Sequence, residues 1–210
     1  MRKIILPDIL PGKEAHLKLA PETRVSSLIK EQTPPLTARE SAVLVMLNPT
    51  KDNNGNTVRD KNKWTLLLIK RNTYHGVHSG QIAFPGGKCE IYDIDYKATA
   101  CREAYEELRI DQEKIEIIGE LTKLYVPPSN FTIYPILAIN NGIEKYFPEE
   151  REVTDYLHIP LGFFNPENAK KCRVEITPNS WIHAPGYLIN GHIIWGATAM
   201  IIAELYQIVN

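Results

Sequence analysis

A glycine-rich turn followed by a patterned acidic segment constrains this chain more than any other feature. The turn reads Phe-Pro-Gly-Gly at residues 84–87, and the segment reads Arg-Glu-Ala-Tyr-Glu-Glu at residues 102–107. The spacing predicts a helix over residues 96–108, because positions three and four apart share a face of an α-helix. The apolar arc that should pack on the core consists of Ala100, Cys101, Ala104 and Leu108.

The three glutamates of this helix form an acidic stripe that is predicted to face away from the core. Glu103, Glu106 and Glu107 repel one another, by about 3 kcal/mol for one pair near a protein surface. Two interpretations are open: a face on which water and salt absorb the repulsion, or a site for a hard divalent cation, which prefers carboxylate and carbonyl oxygens. The glycines before the helix favour the cation, because they let backbone atoms approach a ligand closely.

Residues 86–110 resemble the Nudix box, the signature of the Nudix hydrolase superfamily, and the Arg-Glu-x-x-Glu-Glu core is intact. The spacing from Gly to Arg is one residue longer than usual, Arg109 stands where a glycine is usual, and the early acidic residue is Asp93 rather than Glu. The resemblance implies an α/β fold, an α/β/α sandwich with a mixed sheet, in which the box forms a loop-helix-loop.

A second signature precedes the box and is similar to that of the coenzyme A diphosphatases, a Nudix subfamily that cleaves the pyrophosphate of CoA. It runs from Leu67 through Arg71, Gly76 and Gly80 to residues 84–87, and the spacing of the subfamily is preserved. The resemblance implies that this chain hydrolyses CoA or a CoA derivative to 3′,5′-ADP and 4′-phosphopantetheine or acyl-phosphopantetheine.

Three positions depart from this second signature. Ile69 replaces a Thr, Asn72 replaces a Ser or Ala, and Gly76 replaces an Arg. Loss of the Arg removes a bidentate partner for phosphate. A different CoA derivative, a weaker affinity and compensation by other residues all stay open. The side chains that could compensate are Arg71, Lys70, His75 and His78.

The resemblance also implies roles for individual residues. Glu103 and Glu107, one turn apart, are the expected ligands of Mg²⁺ or Mn²⁺, with Glu106 next and the backbone carbonyl of Gly87 completing the set. Arg102 is expected to orient Glu106 and Asp93, and the general base is either Glu103 or Glu152. Residues expected at the substrate are Arg71, Lys70, His78, Gly80, Phe84, Gly86, Gly87, Tyr125, Ser129, Asn130 and Phe131.

Two other functions stay open at this stage. The first is hydrolysis of another nucleoside diphosphate derivative, such as a dinucleotide or a nucleotide sugar, and the change at Gly76 favours it. The second is a non-catalytic Nudix module that only binds its ligand. Such modules tend to lose carboxylates of the box, and all three are present here.

The order of segments predicts one Nudix domain over residues 41–210, preceded by an irregular or partly helical lead-in over residues 1–40. The expected strands cover residues 41–48, 64–71, 114–121, 131–139, 171–176, 180–183 and 187–194, with breaks at Pro178 and Pro185 and a turn at Asn190-Gly191. The first two should pair as a hairpin, and residues 148–156 are helical or extended. An amphipathic helix over residues 195–209 closes the core. Its Trp195-Gly196-Ala197-Thr198 start is similar to a stretch of the CoA diphosphatase subfamily and is interpreted as packing.

Composition narrows the partners and the compartment. The 210 residues carry a net charge of −1, which gives no basic excess for nucleic acid, and no apolar run is long enough to span a membrane. The three cysteines lack metal or disulfide spacing, so a reducing compartment and a cytoplasmic location are expected. A nucleotide-like small molecule is the expected partner, and a homodimer is compatible with the sequence.

Overall fold

A mixed β-sheet forms the framework of the molecule. The structure, a computed structural model, describes residues 4–30, 33–72, 80–143, 145–177 and 180–210. Within these ranges eight strands form the sheet: β1 (Arg39–Asn48), β2 (Thr65–Arg71), β3 (Ile82–Ala83), β4 (Gly86–Lys88), β5 (Ile115–Glu120), β6 (Leu124–Val126), β7 (Phe131–Asn140) and β8 (Val153–Pro160). Its central order is β3-β2-β1-β7-β5, while β4 pairs with β1, β6 with β7 and β8 with β2. Strands β1 and β7 run parallel, and the other pairs are antiparallel.

Helices cover both faces of this sheet. They are α1 (Gly12–Leu19), α2 (Glu22–Ile29), α3 (Tyr96–Leu108) and α4 (Gly196–Val209). Alternate side chains of β1 point to opposite faces, as the strand pleat requires. Val45 and Leu47 pack in one apolar cluster with α1 and α4, whereas Leu44 and Met46 pack in a second cluster with α3. The expected α/β/α sandwich is therefore confirmed, and strands buried on both faces explain the continuous apolar runs in the sequence.

The predicted elements of the central sheet are confirmed, with small shifts at their ends. Strands β1 and β2 form the expected hairpin, with Leu47 opposite Leu66. Residues 148–156, for which the sequence predicts a helical or extended structure, lead into β8, and this strand lies along β2.

A separate antiparallel sheet lies near the C-terminus and consists of β9 (Lys170–Thr177), β10 (Ser180–Ile189) and β11 (His192–Trp195). The predicted break at Pro185 is wrong, because β10 continues through this residue. Pro185 pairs with Lys171 of β9, and the pairing with β11 starts only at Gly186. Because Pro185 lies outside the stretch of β10 that pairs with β11, its missing N–H interrupts no hydrogen bond to that strand. The predicted turn at residues 190–191 is confirmed by positive φ angles at Asn190 and Gly191.

The closing helix α4 is less exposed than an amphipathic helix should be. All seven residues from 199 to 205 are buried, including Glu204. The reason lies in the lead-in, because α1 packs on the side of α4 that the sequence predicts to face water. The prediction is correct for the extent of the helix and wrong for its exposure. In the described part of the chain, every helix is too short or too polar to cross a membrane.

Candidate active site

Helix α3 carries the acidic segment and starts and stops at clear signals. Asp95 caps its N-terminus, where the carboxylate accepts a hydrogen bond of 2.7 Å from the Ala98 N–H. Arg109 ends the helix in the left-handed conformation, with φ of 56°. Glycine is favoured at a helix end in this conformation. Arg109, which stands where the box usually has a glycine, therefore adopts the backbone geometry expected of that glycine.

The acidic face of α3 is not uniformly exposed, which corrects the prediction that it faces away from the core. Glu106 is exposed and Glu103 is partly buried, whereas Glu107 is only 2% exposed. The predicted apolar arc is buried as expected. Glu107 lies between this arc and the glycine turn, where backbone and side-chain donors replace water around its carboxylate.

Glu107 contacts the glycine turn directly. Its Oε2 accepts a hydrogen bond of 2.8 Å from the Gly86 N–H, and its Oε1 lies 3.5 Å from Nη2 of Arg71. The same Arg71 nitrogen donates to the Gly86 carbonyl at 2.7 Å. Burial raises the pKa of Glu107 to about 8, with Arg71 and the Gly86 N–H opposing the rise and Glu103 and Glu152 adding to it.

Glu103 lies against the backbone of Gly87. A Cβ atom at Gly87 would collide with both carboxylate oxygens of Glu103, so only glycine leaves room for this side chain. Burial raises the pKa of Glu103, Arg102 opposes the rise, and the charges of Glu106 and Glu152 add to it. Glu152, the remote base candidate, is exposed, and its charge adds to the rise in the pKa of both Glu103 and Glu107.

Arg102 connects the loop of the box to the carboxylates of α3. It donates two hydrogen bonds of 3.0 Å to Asp93, one of 2.8 Å to Glu103 and one of 3.2 Å to Glu106. A further bond of 2.9 Å reaches the Lys88 carbonyl. The contacts expected with Glu106 and Asp93 are present, and the contact with Glu103 is additional. The Arg102 guanidinium holds the pKa of Asp93 well below its usual range.

These residues fit a hard divalent cation by their chemistry. The donors are carboxylate oxygens beside a glycine turn, and they lie in a region where their charges repel one another. Their arrangement is not yet that of a ligand set, since no three His, Cys, Asp or Glu side chains of the described residues converge as metal ligands. Arg102 bonds to only one carboxylate oxygen of Glu103 and one of Glu106, so the other oxygen of each side chain is not bonded to this arginine.

A cavity of about 900 Å³ opens beside the glycine turn. The predicted substrate residues that line it are Arg71, Phe84, Gly86, Gly87, Ser129 and Phe131. Lys70, Gly80, Tyr125 and Asn130 are absent from its described wall, and Tyr125 instead donates to Asn130 at 3.0 Å. His75, Gly76 and His78 lie outside the described residues.

Much of the cavity wall comes from residues that the sequence analysis did not assign to a site. Arg24 and Arg39 line it, as do Ile176, Ile182 and residues 195–198. The last stretch is the Trp-Gly-Ala-Thr start of α4, which the sequence analysis interprets as packing; Ala197 and Trp195 do pack against apolar clusters, and the whole stretch also lines the cavity. A signal for it existed, because this stretch also recurs in the subfamily that the chain resembles. Arg24 and Arg39 had no such signal, since only the tertiary fold brings them there.

Comparisons with known proteins show which family the chain is similar to. Residues 50–182 match the model of the NUDIX domain. A protein of Yersinia enterocolitica serotype O:8 / biotype 1B, named an uncharacterized Nudix hydrolase NudL, is 34% identical over 155 residues, which are 70% of this chain and 74% of the relative. A protein of the same name from Enterobacter sp. strain 638 is 35% identical over 67% of this chain and 72% of the relative. The solved structure of a MutT protein from Methanosarcina mazei Go1 aligns with a TM-score of 0.48 and 16% identity over 82% of this chain and 96% of that one.

Proposed function

The chain belongs to the Nudix hydrolase family, and from this premise we propose that it hydrolyses the pyrophosphate bond of coenzyme A or of a CoA derivative with Mg²⁺ or Mn²⁺. Enzymes of this family are pyrophosphohydrolases that act on nucleoside diphosphate derivatives and generally use divalent cations. The CoA substrate and the residue roles below are what the proposal adds.

The observation that carries the proposal is the composition of the cavity wall. The glycine turn and Arg71 form part of this wall, and most of the remaining wall is apolar. Its charged members are all cations, since no Asp or Glu is among the described residues that line it. A cavity of this size is within the range of about 300–1,000 Å³ that ligand sites occupy. CoA fits this wall, because it combines a highly charged nucleotide with a long uncharged pantetheine arm.

The residues of the CoA diphosphatase signature add support on the side of the glycine turn. Arg71 is the signature arginine, and it donates to the Gly86 carbonyl while approaching Glu107. It thus lies where a pyrophosphate bound at the turn would meet a guanidinium. Phe84 of the Phe-Pro-Gly-Gly motif lines the cavity from a position only 2% exposed.

The proposed reaction assigns a task to each residue of α3. A divalent cation, when bound, neutralises the pyrophosphate charge and favours ionisation of the attacking water. Glu103 and Glu107 would hold it, with Glu106 and the Gly87 carbonyl as further ligands. Arg102 positions Glu103 and Glu106 through the hydrogen bonds described above. Water attacks one phosphorus, with Glu103 or Glu152 accepting its proton, and the P–O bond of the anhydride breaks.

Another nucleoside diphosphate derivative stays a second candidate, because Gly76 stands where the CoA subfamily carries an arginine. A dinucleotide or a nucleotide sugar would use the same metal face. The Nudix module without activity has no observation in its favour, since Glu103, Glu106 and Glu107 are all retained.

The test is incubation of the purified protein with CoA and Mg²⁺ or Mn²⁺, beside NADH, ADP-ribose and diadenosine polyphosphates, with products identified by mass. We expect 3′,5′-ADP and 4′-phosphopantetheine from CoA, formed much faster than any product of the other compounds. Faster cleavage of another compound would reject CoA and retain the metal site. A folded protein that cleaves none of them while binding Mg²⁺ would support the module without activity.

A further inference from the structure

Arg24 and Arg39 are cations of the cavity wall that the proposed reaction leaves without a task. The other two, Arg71 and Lys88, pair with Glu107 and Glu90. Among the described residues, no carboxylate lies within ion-pair distance of Arg24 or Arg39. Arg24 is partly buried and Arg39 is exposed, and two guanidinium groups without a carboxylate partner at the wall of a largely apolar cavity create a positive potential that favours an anionic ligand.

Arg24 reaches the cavity from α2, which precedes the stretch matched by the family model. Its Nη2 donates a hydrogen bond of 2.7 Å to the Tyr125 carbonyl. Its Nη1 is enclosed and has no hydrogen-bond partner among the described residues. Buried donors of charged groups are rarely left unsatisfied, since the loss of hydration is costly. The bond to Tyr125 gives Nη2 a role in linking α2 to β6, whereas no such contact accounts for the burial of Nη1.

Arg39 is held in place at the start of β1. Its Nη2 donates a hydrogen bond of 3.0 Å to the Ser129 carbonyl, and its guanidinium carbon lies 4.0 Å from the centre of the Phe131 ring. Stacking on an aromatic ring fixes the plane of a guanidinium and leaves its remaining N–H groups for another partner.

The strand β1 sets the distance between Arg39 and the glycine turn. Arg39, Ser41 and Val43 alternate along it and all line the cavity. Ala42 of β1 pairs with Gly87 of the glycine turn. Ala42 is three residues from Arg39, so at the rise per residue of a β-strand Arg39 lies about 10 Å along the strand from this pair. The two arginines thus line the same cavity as the glycine turn, and the distance from Arg39 to this turn is on the scale of one nucleotide.

We propose that Arg24 and Arg39 form a subsite for a phosphomonoester of the substrate, separate from the place of its pyrophosphate. This inference rests on the proposed function, because CoA carries a 3′-phosphate on its ribose in addition to the pyrophosphate. Guanidinium groups match the geometry of phosphate oxygens and keep their charge. Two arginines from outside the second signature thereby supply the cationic partners that the signature lacks at Gly76.

The first test compares CoA with 3′-dephospho-CoA, which lacks only the phosphomonoester. We expect kcat/KM of the unmodified protein to be about tenfold or more higher for CoA than for 3′-dephospho-CoA. This is the effect expected when a ligand loses one charged hydrogen-bonding group. In the variants Arg24→Gln and Arg39→Gln this ratio should fall toward one, and Arg24→Lys should restore part of it. Arg59→Gln is the matched control, because it removes the same charge from an exposed residue outside the cavity. A merely structural Arg24 would lower both activities and keep the ratio.

The second test separates a failure of this inference from a failure of the proposed function. Calorimetry without added metal compares the binding of 3′,5′-ADP with that of AMP, neither of which contains a pyrophosphate. We expect 3′,5′-ADP to bind about tenfold more tightly, and Arg24→Gln to remove the difference. Equal binding of the two by the unmodified protein would overturn the subsite, even if CoA is cleaved. A clear preference for 3′,5′-ADP in a protein that does not cleave CoA would support the subsite and reject the reaction.

Discussion

The surroundings of Glu107 differ from those of the other box glutamates, and this difference supports its proposed role as a metal ligand. Its carboxylate is 2% exposed and receives one backbone N–H and one arginine at longer range. A carboxylate with so few partners is costly to bury. The cost is understandable if a cation completes its surroundings, since the charges of Glu103 and Glu152 also act on it.

Glu107→Gln should abolish turnover while the fold is kept. The amide has the shape of the carboxylate, and its oxygen can still accept from the Gly86 N–H, but the charge that would hold a cation is lost. We expect kcat to fall by at least about 100-fold, with little change in melting temperature. Glu113→Gln is the control, because Glu113 is exposed, lies beyond the end of α3 and does not line the cavity. Activity near that of the unmodified protein would reject this metal assignment.

The two glycines of the turn should fail in different ways when they are replaced by alanine. At Gly87 the new Cβ would meet the end of the flexible Glu103 side chain, so Gly87→Ala should displace a carboxylate and keep the fold. At Gly86, where φ is 149°, it would meet the backbone of Ala42 and Val43. We expect kcat/KM to fall about 100-fold for Gly87→Ala and stability to fall by about 1–3 kcal/mol for Gly86→Ala. Equal melting temperatures, or equal activities, of the two variants would contradict the distinction.

At the scale of elements, the local sequence pattern predicts a helix or strand correctly where its burial does not depend on distant parts of the chain. The bounds of α3 follow from its periodicity and from the Asp95 cap, and the hairpin of β1 and β2 follows from two apolar runs around a polar turn. Elements that depend on distant partners were predicted less well. The burial of α4 depends on α1, and the burial of Glu107 depends on the glycine turn. The task inferred for Arg24 depends on a cavity that no stretch of sequence contains.

A buried polar cluster joins α1 to α4. Glu204, which is 0% exposed, lies 3.0 Å from Nε2 of His16 and accepts a bond of 2.6 Å from the Thr122 hydroxyl. The backbone N–H groups of Gly12 and Thr122 also donate to it, at 3.3 and 3.2 Å. Burial raises the pKa of Glu204, but the bonds from His16 and Thr122 outweigh this effect and lower the pKa below its ordinary value.

Glu204→Gln should lower stability most at neutral pH. The carboxylate accepts from several donors, and an amide offers only one oxygen, so we expect a loss of about 3 kcal/mol at pH 7. Because the native pKa is lowered, the stabilisation by the carboxylate is present above the unfolded value near 4.5 and is lost as the pH falls through the native value. Urea unfolding at several pH values should show the two proteins converging in acid. Glu14→Gln, an exposed change on α1, should leave the pH dependence intact.

At the scale of the whole molecule, the lead-in is joined to the domain that follows it. Ala15 and Leu19 of α1 are 0% exposed, and Leu19 belongs to the apolar cluster of α4 and the central sheet. Arg24 of α2 reaches the cavity wall. The division into a lead-in of residues 1–40 and a domain of residues 41–210 stays a prediction about sequence, and these contacts argue that the two parts fold together.

Removal of residues 1–30 should therefore destabilise the remaining chain. The deletion uncovers the outer side of α4 and takes two donors, His16 and the Gly12 N–H, from the buried Glu204. Since a domain of this kind is stable by only about 5–15 kcal/mol, the shortened chain should aggregate or melt far below the full chain. Leu19→Ala should already cost about 2–5 kcal/mol, whereas Leu36→Ala, at a fully exposed position, should change stability by less than about 0.5 kcal/mol. A chain of residues 31–210 with the melting temperature of the full protein would show instead that the lead-in is a separable cover.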